Sequence, residues 1–574
     1  MFPLIRFARN FIANDYRACL LPFLVVVLTL PFALRRDMRF VSVEKDTTHP
    51  ESALLQIGLW ANVGNLYPAL ETTPYTPAPH GPAYYETLRV LARLSHGQYR
   101  ALALRARILS LGAFFTCAVL ASLISYRLTS RIWASTVAGL MVFTQPICYG
   151  WSATTRPDMI ALAFSLGALL CFCWKDELQP RTVFVAGLLA GFAALYKQSF
   201  LSVTVTIVLA LLVTRKWSRL IPFVSGLFLV PVGLLGVLLA NKEPVLYELL
   251  LMRYFKTDFP SSIGIVGHVL HSPEELALIS LGGCGTWLLS RKADLRSRGF
   301  VFYTFISFIL SFIAIQNVGA SANYLIEPLT ALTVAASVAM TAISARWKSA
   351  TGEFKLVFLL FLTIALSSLA SSARQPVSAL PPQLLHLVAN KHVLSDQPYF
   401  SVHGQGPEML DPYTTTQLEL RGKWSSLPLR QEISRREFDL VMVRLAAAPP
   451  LQADHVIPRL YRGYRFFSDP VFLALQENYR PVCFLPHQSL LMLAPPDQRY
   501  SAVARDAAAI PECSVFNSAI VVFDLTSTDH LFRDKSGVEG VPRVGQGDFW
   551  SVVRIDHIMS ARIDASWQKE MQPS

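Results

Sequence analysis

Charge is what this chain has little of. Only 16% of its 574 residues are Asp, Glu, Lys or Arg, against about 25% in soluble globular proteins. Mean hydropathy is +0.39 and 52% of residues are hydrophobic, which excludes an ordinary water-soluble protein. Several nucleotide and metal signatures are missing too. There is no Walker A loop, no Rossmann glycine fingerprint after a strand, no HExxH and no GxSxG. ATP hydrolysis therefore has no footing in the sequence. Cysteine is sparse, at 8 residues, and none has zinc-ligand spacing. No metal site or cofactor is read from the sequence.

The net charge of +12 looks like a nucleic-acid signal, but no basic helix or aromatic-basic strand pattern accompanies it. Its Lys and Arg residues cluster in short loops between apolar runs, as the positive-inside rule expects of a membrane protein. No nucleic-acid partner is read; membrane lipids are.

Apolar runs long enough to cross a bilayer fill the first 370 or so residues. About eleven are expected: 18–34, 106–126, 132–149, 158–174, 182–196, 199–214, 220–240, 274–290, 299–318, 325–344 and 354–371. The first has no small-x-small cleavage site and runs into Arg35 and Arg36, so it reads as a retained span. Loops with Arg127 and Arg131, Lys175 and Arg181, Arg215, Lys216 and Arg219, Arg291 to Arg298, and Arg346 to Lys355 carry the basic excess. That sets the N-terminus in the cytoplasm and the opposite loops outside. Between Val183 and Val213 the run reads as two spans meeting at Lys197, because a lysine at mid-bilayer costs about 2.5–3.5 kcal/mol. Lys197 is then expected at the outer surface.

After about residue 371 the composition turns Pro-rich and charged, with β-like runs at Asp439–Arg444, Leu490–Leu493 and Ala519–Phe523 and a helix-like piece at Leu427–Glu437. The expectation is a polytopic helical bundle, residues 1–371, followed by an extracytoplasmic α/β domain, 372–574, whose last 60 or so residues read poorly. In an oxidising compartment Cys483 and Cys513 are available for a disulfide. Cys19, Cys117, Cys148, Cys171, Cys173 and Cys284 fall in or near apolar runs and read as packing residues.

With this topology the polar features meet on the outer face. The large first outer loop, 35–105, holds Glu44, Asp46, Glu51, His49 and His80. Glu51 opens an amphipathic stretch, ESALLQIGLWANVGNLYP. It serves either the helix dipole or a reaction as general base, and Glu44 and Asp46 compete for that role. Tyr75–Tyr85 reads as an ordered loop feeding a surface helix, Tyr84–Leu94. His80 is a minor acid/base candidate there. Arg156-Pro157-Asp158 suits a helix start, and an Arg/Asp pair at a span mouth also suits phosphate binding. Lys197 either snorkels or holds a phosphate, with Gln198 beside it. Arg253 and Lys256 lie in the outer loop 241–271. Asn323, Tyr324 and Glu327 open the tenth span, where a Glu followed by Pro328 is expected to face a polar cavity.

The order of ESALLQIGLWANVGNLYP, a Pro/Tyr loop, ARILSLGAFF, RPDMIALAFSLGALL, ALYKQSF and NYLIEPLTAL resembles bacterial multi-span glycosyltransferases of the GT-C superfamily. The branch is the one related to protein mannosyltransferases and lipid A aminoarabinose transferases. The resemblance implies a polyprenyl-phosphate sugar donor and a glycan, lipid or protein acceptor at the extracytoplasmic face of the plasma membrane. It implies catalytic carboxylates at Glu51 or Asp46 and at Asp158, and donor phosphate contacts at Arg156 and Lys197. Arg253 and Lys256 are further phosphate candidates, and His80, Gln198, Asn323, Tyr324 and Glu327 are substrate-binding candidates. Many relatives carry an Asp-Glu or Glu-Gly pair at the loop acid, where this chain has Pro50-Glu51-Ser52. The competing reading is a transporter or lipid-carrier flippase. Neither paired halves nor midplane charges, which such proteins show, are evident in the sequence.

Overall fold

The computed structural model describes residues 51–62, 77–174, 178–241, 259–317, 320–346, 380–405, 411–444, 457–461, 467–485, 490–510, 513–515 and 521–524, with Arg35, Met38, Arg39, Val41, Gly64, Leu66, Tyr67, Tyr75 and Thr257. Glu44, Asp46, His49, Arg253, Lys256, the expected first and eleventh spans and residues 525–574 lie outside the described residues.

The helical part begins with two helices of the first large loop, α1 (Glu51–Ala61) and α2 (Pro82–Leu94). Pro82 starts α2 at the first helical position, where its missing N–H is not needed. Then come α3 (Tyr99–Thr129), α4 (Ile132–Thr144), α5 (Pro146–Gly150), α6 (Asp158–Trp174), α7 (Pro180–Tyr196), α8 (Ser202–Val213), α9 (Leu220–Ala240), α10 (Phe259–Leu270), α11 (Pro273–Ser290), α12 (Leu295–Ala314) and α13 (Ile326–Arg346). Among the described residues, four helical stretches are long and apolar enough to cross a membrane: Tyr99–Thr129, Trp217–Ala240, Leu295–Ala314 and Ala322–Ala345. Helices α4, α6, α7 and α8 are shorter and apolar.

Several boundaries differ from the hydropathy reading. The third span is not one helix. It breaks at Gln145-Pro146, where the Gln145 side chain accepts the Cys148 N–H at 2.7 Å and caps α5. Helix α3 runs seven residues further toward its N-terminus than the apolar run. Its 31 residues reach about 46 Å at 1.5 Å per residue, longer than the hydrocarbon core. The run 183–213 does split in two, and Lys197 sits at the break as the C-cap residue of α7. The outer loop before α11 carries a helix of its own, α10. The amphipathic reading of α1 also fails. Most of its residues are buried, Glu51, Ser52, Leu54, Leu55 and Ile57 among them.

Helix α13 is the centre of the bundle: 83% of its most apolar window is buried, against 17% for the window ending in α9. The apolar side chains of α9, such as Ile221 and Val232, are exposed and suit lipid contact. Helix α9 still meets α7 backbone to backbone. A Cβ on Gly187 would lie 2.1 Å from the Phe223 carbonyl oxygen, and one on Gly191 2.5 Å from that of Leu227. Small residues one turn apart are how membrane helices without a hydrophobic driving force gain close packing. The buried hydroxyls of α13 are self-satisfied: Thr330 donates to Ile326, Thr333 to Thr330 and Ser337 to Val334.

The C-terminal part carries α14 (Pro382–Val388), β1 (Val393–Ser395), α15 (Pro398–His403), α16 (Pro412–Glu419), α17 (Leu427–Ser434), β2 (Leu440–Arg444), β3 (Ile457–Tyr461), α18 (Asp469–Asn478), β4 (Arg480–Leu485), β5 (Leu490–Ala494), α19 (Gln498–Ala508), β6 (Ser514–Val515) and β7 (Val521–Asp524). The main sheet has the order β1-β2-β5-β4-β6, with β1 parallel to β2 and the other pairs antiparallel. Strands β3 and β7 pair in parallel separately. Strand residues alternate between two apolar clusters. Val441, Val443, Phe484 and Leu491 join one with α17 and α18; Leu440, Met442, Cys483 and Met492 join the other with α14 and α19. A sheet buried on both faces explains why these strands read as continuous apolar runs. Cys483 and Cys513 form a disulfide.

The two parts touch. Helix α15 packs on α1. Tyr99, the first residue of α3, meets the His403 ring edge-on at 5.2 Å. Tyr75 of the outer loop is 3% exposed, within the apolar cluster of α17 and α18.

Candidate active site

The polar groups lie where α1, α2, the segment Thr154–Asp158, the end of α7 and the start of α13 come together. Glu51, the first residue of α1, is fully buried. Its Oε2 lies 3.0 Å from Arg107 Nη2 of α3, and its Oε1 accepts the Thr155 backbone N–H at 2.5 Å. The Tyr84 hydroxyl of α2 donates to the Thr155 carbonyl at 2.6 Å. Glu51 thus pins the segment leading into α6.

Asp158 opens α6 and is also fully buried. Its Oδ1 accepts from Lys197 Nζ at 2.5 Å and from Asn323 Nδ2 at 2.8 Å. Its Oδ2 lies 3.5 Å from Arg156 Nε and, among the described residues, accepts no hydrogen bond. Of the two expectations for Lys197, the one in which it snorkels to the headgroups does not hold. The residue is 3% exposed, and its ammonium turns inward, 4.4 Å from the Tyr324 ring centre. The reason is the buried Asp158 carboxylate, which a lysine at the lipid surface would leave with Arg156, at 3.5 Å, as its nearest cation. Arg156 stacks its guanidinium over Trp151 at 5.1 Å. Two cations thus face one carboxylate, an arrangement that retains attraction for an anion.

His80 lies within the electrostatic field of this cluster. Its ring meets Tyr84 at 5.9 Å and Tyr85 at 6.4 Å. Burial, then the charges of Arg156 and Lys197, hold the imidazole down to about 3, so it is neutral at physiological pH. A neutral imidazole keeps one acceptor nitrogen. Gln198 donates to the Pro79 carbonyl at 3.0 Å and so holds the neighbouring backbone. From the C-terminal part, Asp411 lies within the field of Arg156. Burial pushes its carboxyl up to about 6, against hydrogen bonds from Thr414.

Glu327 sits one helical turn below Asn323 and is 3% exposed. It accepts from Ser165 at 2.6 Å, Ser202 at 2.7 Å and Tyr303 at 3.0 Å. These donors come from α6, α8 and α12, so the carboxylate joins four helices.

Of the residues singled out in the sequence, the structure brings together Glu51, His80, Arg156, Asp158, Lys197, Gln198, Asn323 and Tyr324, with Glu327 one tier deeper. Arg107, Tyr84, Ser165, Ser202, Tyr303 and Asp411 were missed. Arg107 carried a usable signal, because an arginine inside an apolar run needs a partner. Tyr303 and the two serines carried none.

No protein-family model matches the chain, and no curated protein sequence matches it. Solved structures do. ArnT from Cupriavidus metallidurans in the apo state aligns at 13% identity over 83% of this chain and 98% of that one, with a TM-score of 0.56. The same ArnT bound to undecaprenyl phosphate aligns at 13% identity over the same shares, with a TM-score of 0.55. ArnT is a GT-C superfamily member, and at this identity the likeness is one of fold. The chain shares the fold of this ArnT over most of both chains.

Proposed function

We propose that this protein is an integral-membrane glycosyltransferase. It moves a sugar from a polyprenyl-phosphate-linked donor to a glycan, lipid or protein acceptor on the extracytoplasmic face. The observation that carries the reading is the buried Arg156–Asp158–Lys197 cluster, with its excess of positive charge, at the outer helix mouths of a GT-C fold. A neighbour of that fold holds undecaprenyl phosphate. The Cys483–Cys513 disulfide supports an extracytoplasmic C-terminal domain, and the basic loops support a cytoplasmic N-terminus.

In this mechanism the acceptor hydroxyl oxygen attacks the sugar C1. The bond from C1 to the phosphate oxygen breaks, and polyprenyl phosphate leaves. Lys197 and Arg156 meet the charge that grows on the departing phosphate. The hydroxyl proton passes to a carboxylate. Asp158 Oδ2, which accepts no hydrogen bond, is the atom best placed to receive it. Glu51, held by Arg107 and Thr155, orders the segment that presents Asp158. Asp46 and Glu44 remain rival bases, and Arg253 and Lys256 further phosphate contacts. Asn323 and Tyr324 hold Asp158 and Lys197 in place for substrate. The C-terminal domain closes one side of the site and selects the acceptor.

The test compares glycan transfer in membranes from cells lacking the protein and carrying Asp158→Asn, Glu51→Gln or Asp46→Asn. Asp158→Asn is expected to lower transfer about 100- to 10,000-fold, the range for a lost general base. Arg156→Ala and Lys197→Ala are expected to weaken binding of synthetic undecaprenyl phosphate in nanodiscs. Transfer that survives all three carboxylate changes overturns the site.

A further inference from the structure

Tyr75 and residues 77–81 of the first loop form a strap fixed at both ends, each to a different part of the molecule. At one end Tyr75 is buried among Leu429, Ile433, Phe438 and Phe472 of the C-terminal part. Its hydroxyl donates to Glu432 Oε1 at 3.1 Å, and its ring meets Trp424 edge-on at 5.8 Å. At the other end Gly81 presses on the last turn of α7. A Cβ there would lie 1.8 Å from the Leu195 carbonyl oxygen, so the strap and α7 touch backbone to backbone. Between the anchors Ala78 is fully buried, and Gln198 holds the Pro79 carbonyl. The Tyr67 hydroxyl donates to the His80 carbonyl at 3.3 Å, and the Tyr85 hydroxyl accepts the His80 N–H at 3.3 Å.

The anchors differ in what they hold. Gly81, Gln198 and Tyr85 tie the strap to the helices that carry Lys197 and the site. Tyr75 alone among these ties it to the C-terminal domain, five residues before His80. A large ring in an apolar pocket fixes position more firmly than a surface contact, because leaving it exposes apolar area to water.

Resting on the glycosyltransferase reading, we propose that Tyr75 is a positioning residue through which the C-terminal domain sets the strap, and with it the His80 ring, over the Asp158–Lys197 pair. The domain is thus a working part of the donor site as well as an acceptor platform. Tyr75 touches no reacting atom; it acts through the backbone of residues 77–81.

Two measurements on the full-length protein in nanodiscs test this. The first is amide hydrogen exchange. In Tyr75→Ala, exchange is expected to rise across residues 77–81 while α6, α7 and α13 keep their protection. Tyr75→Phe, which keeps the ring, is expected to retain the wild-type pattern. The second is function. Transfer in cells lacking the protein is expected to drop about 100-fold for Tyr75→Ala, the cost of a small misplacement at a reacting centre. Binding of synthetic undecaprenyl phosphate is expected to stay close to wild type, because Arg156 and Lys197 are untouched. Tyr75→Phe restores transfer. Should Tyr75→Ala fail to fold, Trp424→Ala removes the neighbouring ring from the domain side and carries the same expectations. Unchanged exchange at 77–81 in the alanine variant overturns the proposal, and so does a loosened strap with undiminished transfer. If the wild-type protein transfers no sugar, the glycosyltransferase reading fails, and the exchange arm still decides whether Tyr75 holds the strap.

Discussion

Asp158 and Glu327 are both taken out of water, seven residues of α6 and one turn of α13 apart, and the protein meets them with different donors. Asp158 receives a lysine, an arginine and an amide. Glu327 receives three neutral hydroxyls and, among the described residues, no cation. The upper tier holds two cations against one carboxylate, with one carboxylate oxygen that accepts no hydrogen bond among the described residues. The lower tier uses up its hydrogen-bonding capacity joining helices. Equal burial thus goes with different chemistry: charged partners and an open acceptor at Asp158, neutral donors and a filled one at Glu327.

That comparison breaks most sharply at Lys197. Lys197→Ala leaves Asp158 with Arg156 as its nearest cation, and loss of one partner of a buried pair costs about 3–5 kcal/mol. Chemical denaturation of the detergent-solubilised protein is expected to show that loss. Lys197→Ala combined with Asp158→Ala is expected to be less destabilised than Lys197→Ala alone. An additive double variant would mean that the pair does not interact.

Glu327→Gln is expected to cost less, about 1–3 kcal/mol, because an amide oxygen still accepts from two hydroxyls and the third rotates to accept from the amide. Transfer by the folded protein is expected to stay near wild type. A loss of transfer as deep as that of Asp158→Asn would move Glu327 into the reacting tier.

A third buried carboxyl sharpens the contrast from outside the membrane. Asp396, just after β1, accepts the Arg444 backbone N–H at 2.7 Å, and burial pushes it up to about 7. Its proton is held more tightly in the folded than in the unfolded protein. The resulting stability is full below the unfolded value of 3.8 and is lost as pH rises through about 7. The wild type minus Asp396→Asn difference in stability is expected to fall across that window, by at most about 1.4 kcal/mol per pH unit. A flat difference from pH 4 to pH 7 would mean that Asp396 titrates alike in both states.

Much of this arrangement was legible. Pro157-Asp158 marks a helix start, Lys197 marks the break between two apolar helices, and Asn323 to Glu327 marks the mouth of the central helix. Each is a local rule of backbone chemistry. Hydropathy misjudged α3 because it reports the apolar length of a run, whereas Tyr99 to Arg105 continue the helix with residues that favour it. It also read through Gln145-Pro146, since the run stays apolar on both sides of the break. The inward turn of Lys197 and the Glu51–Arg107 pair depend on which helices become neighbours. No spacing in the sequence states that, and Tyr303 looks like any other aromatic in an apolar run.

The close approach of Gly81 to α7 bears on how the molecule is made. The strap is translated well before the residues that hold it. Gln198, which grips it at Pro79, follows 119 residues later, and Glu432, which receives Tyr75, is 357 residues behind it. Until the segment around Glu432 is made, Tyr75 has no partner from that segment to receive it. On the proposal above, a chain cut before Glu432 is expected to lack the contact that receives Tyr75 and so the strap's second anchor.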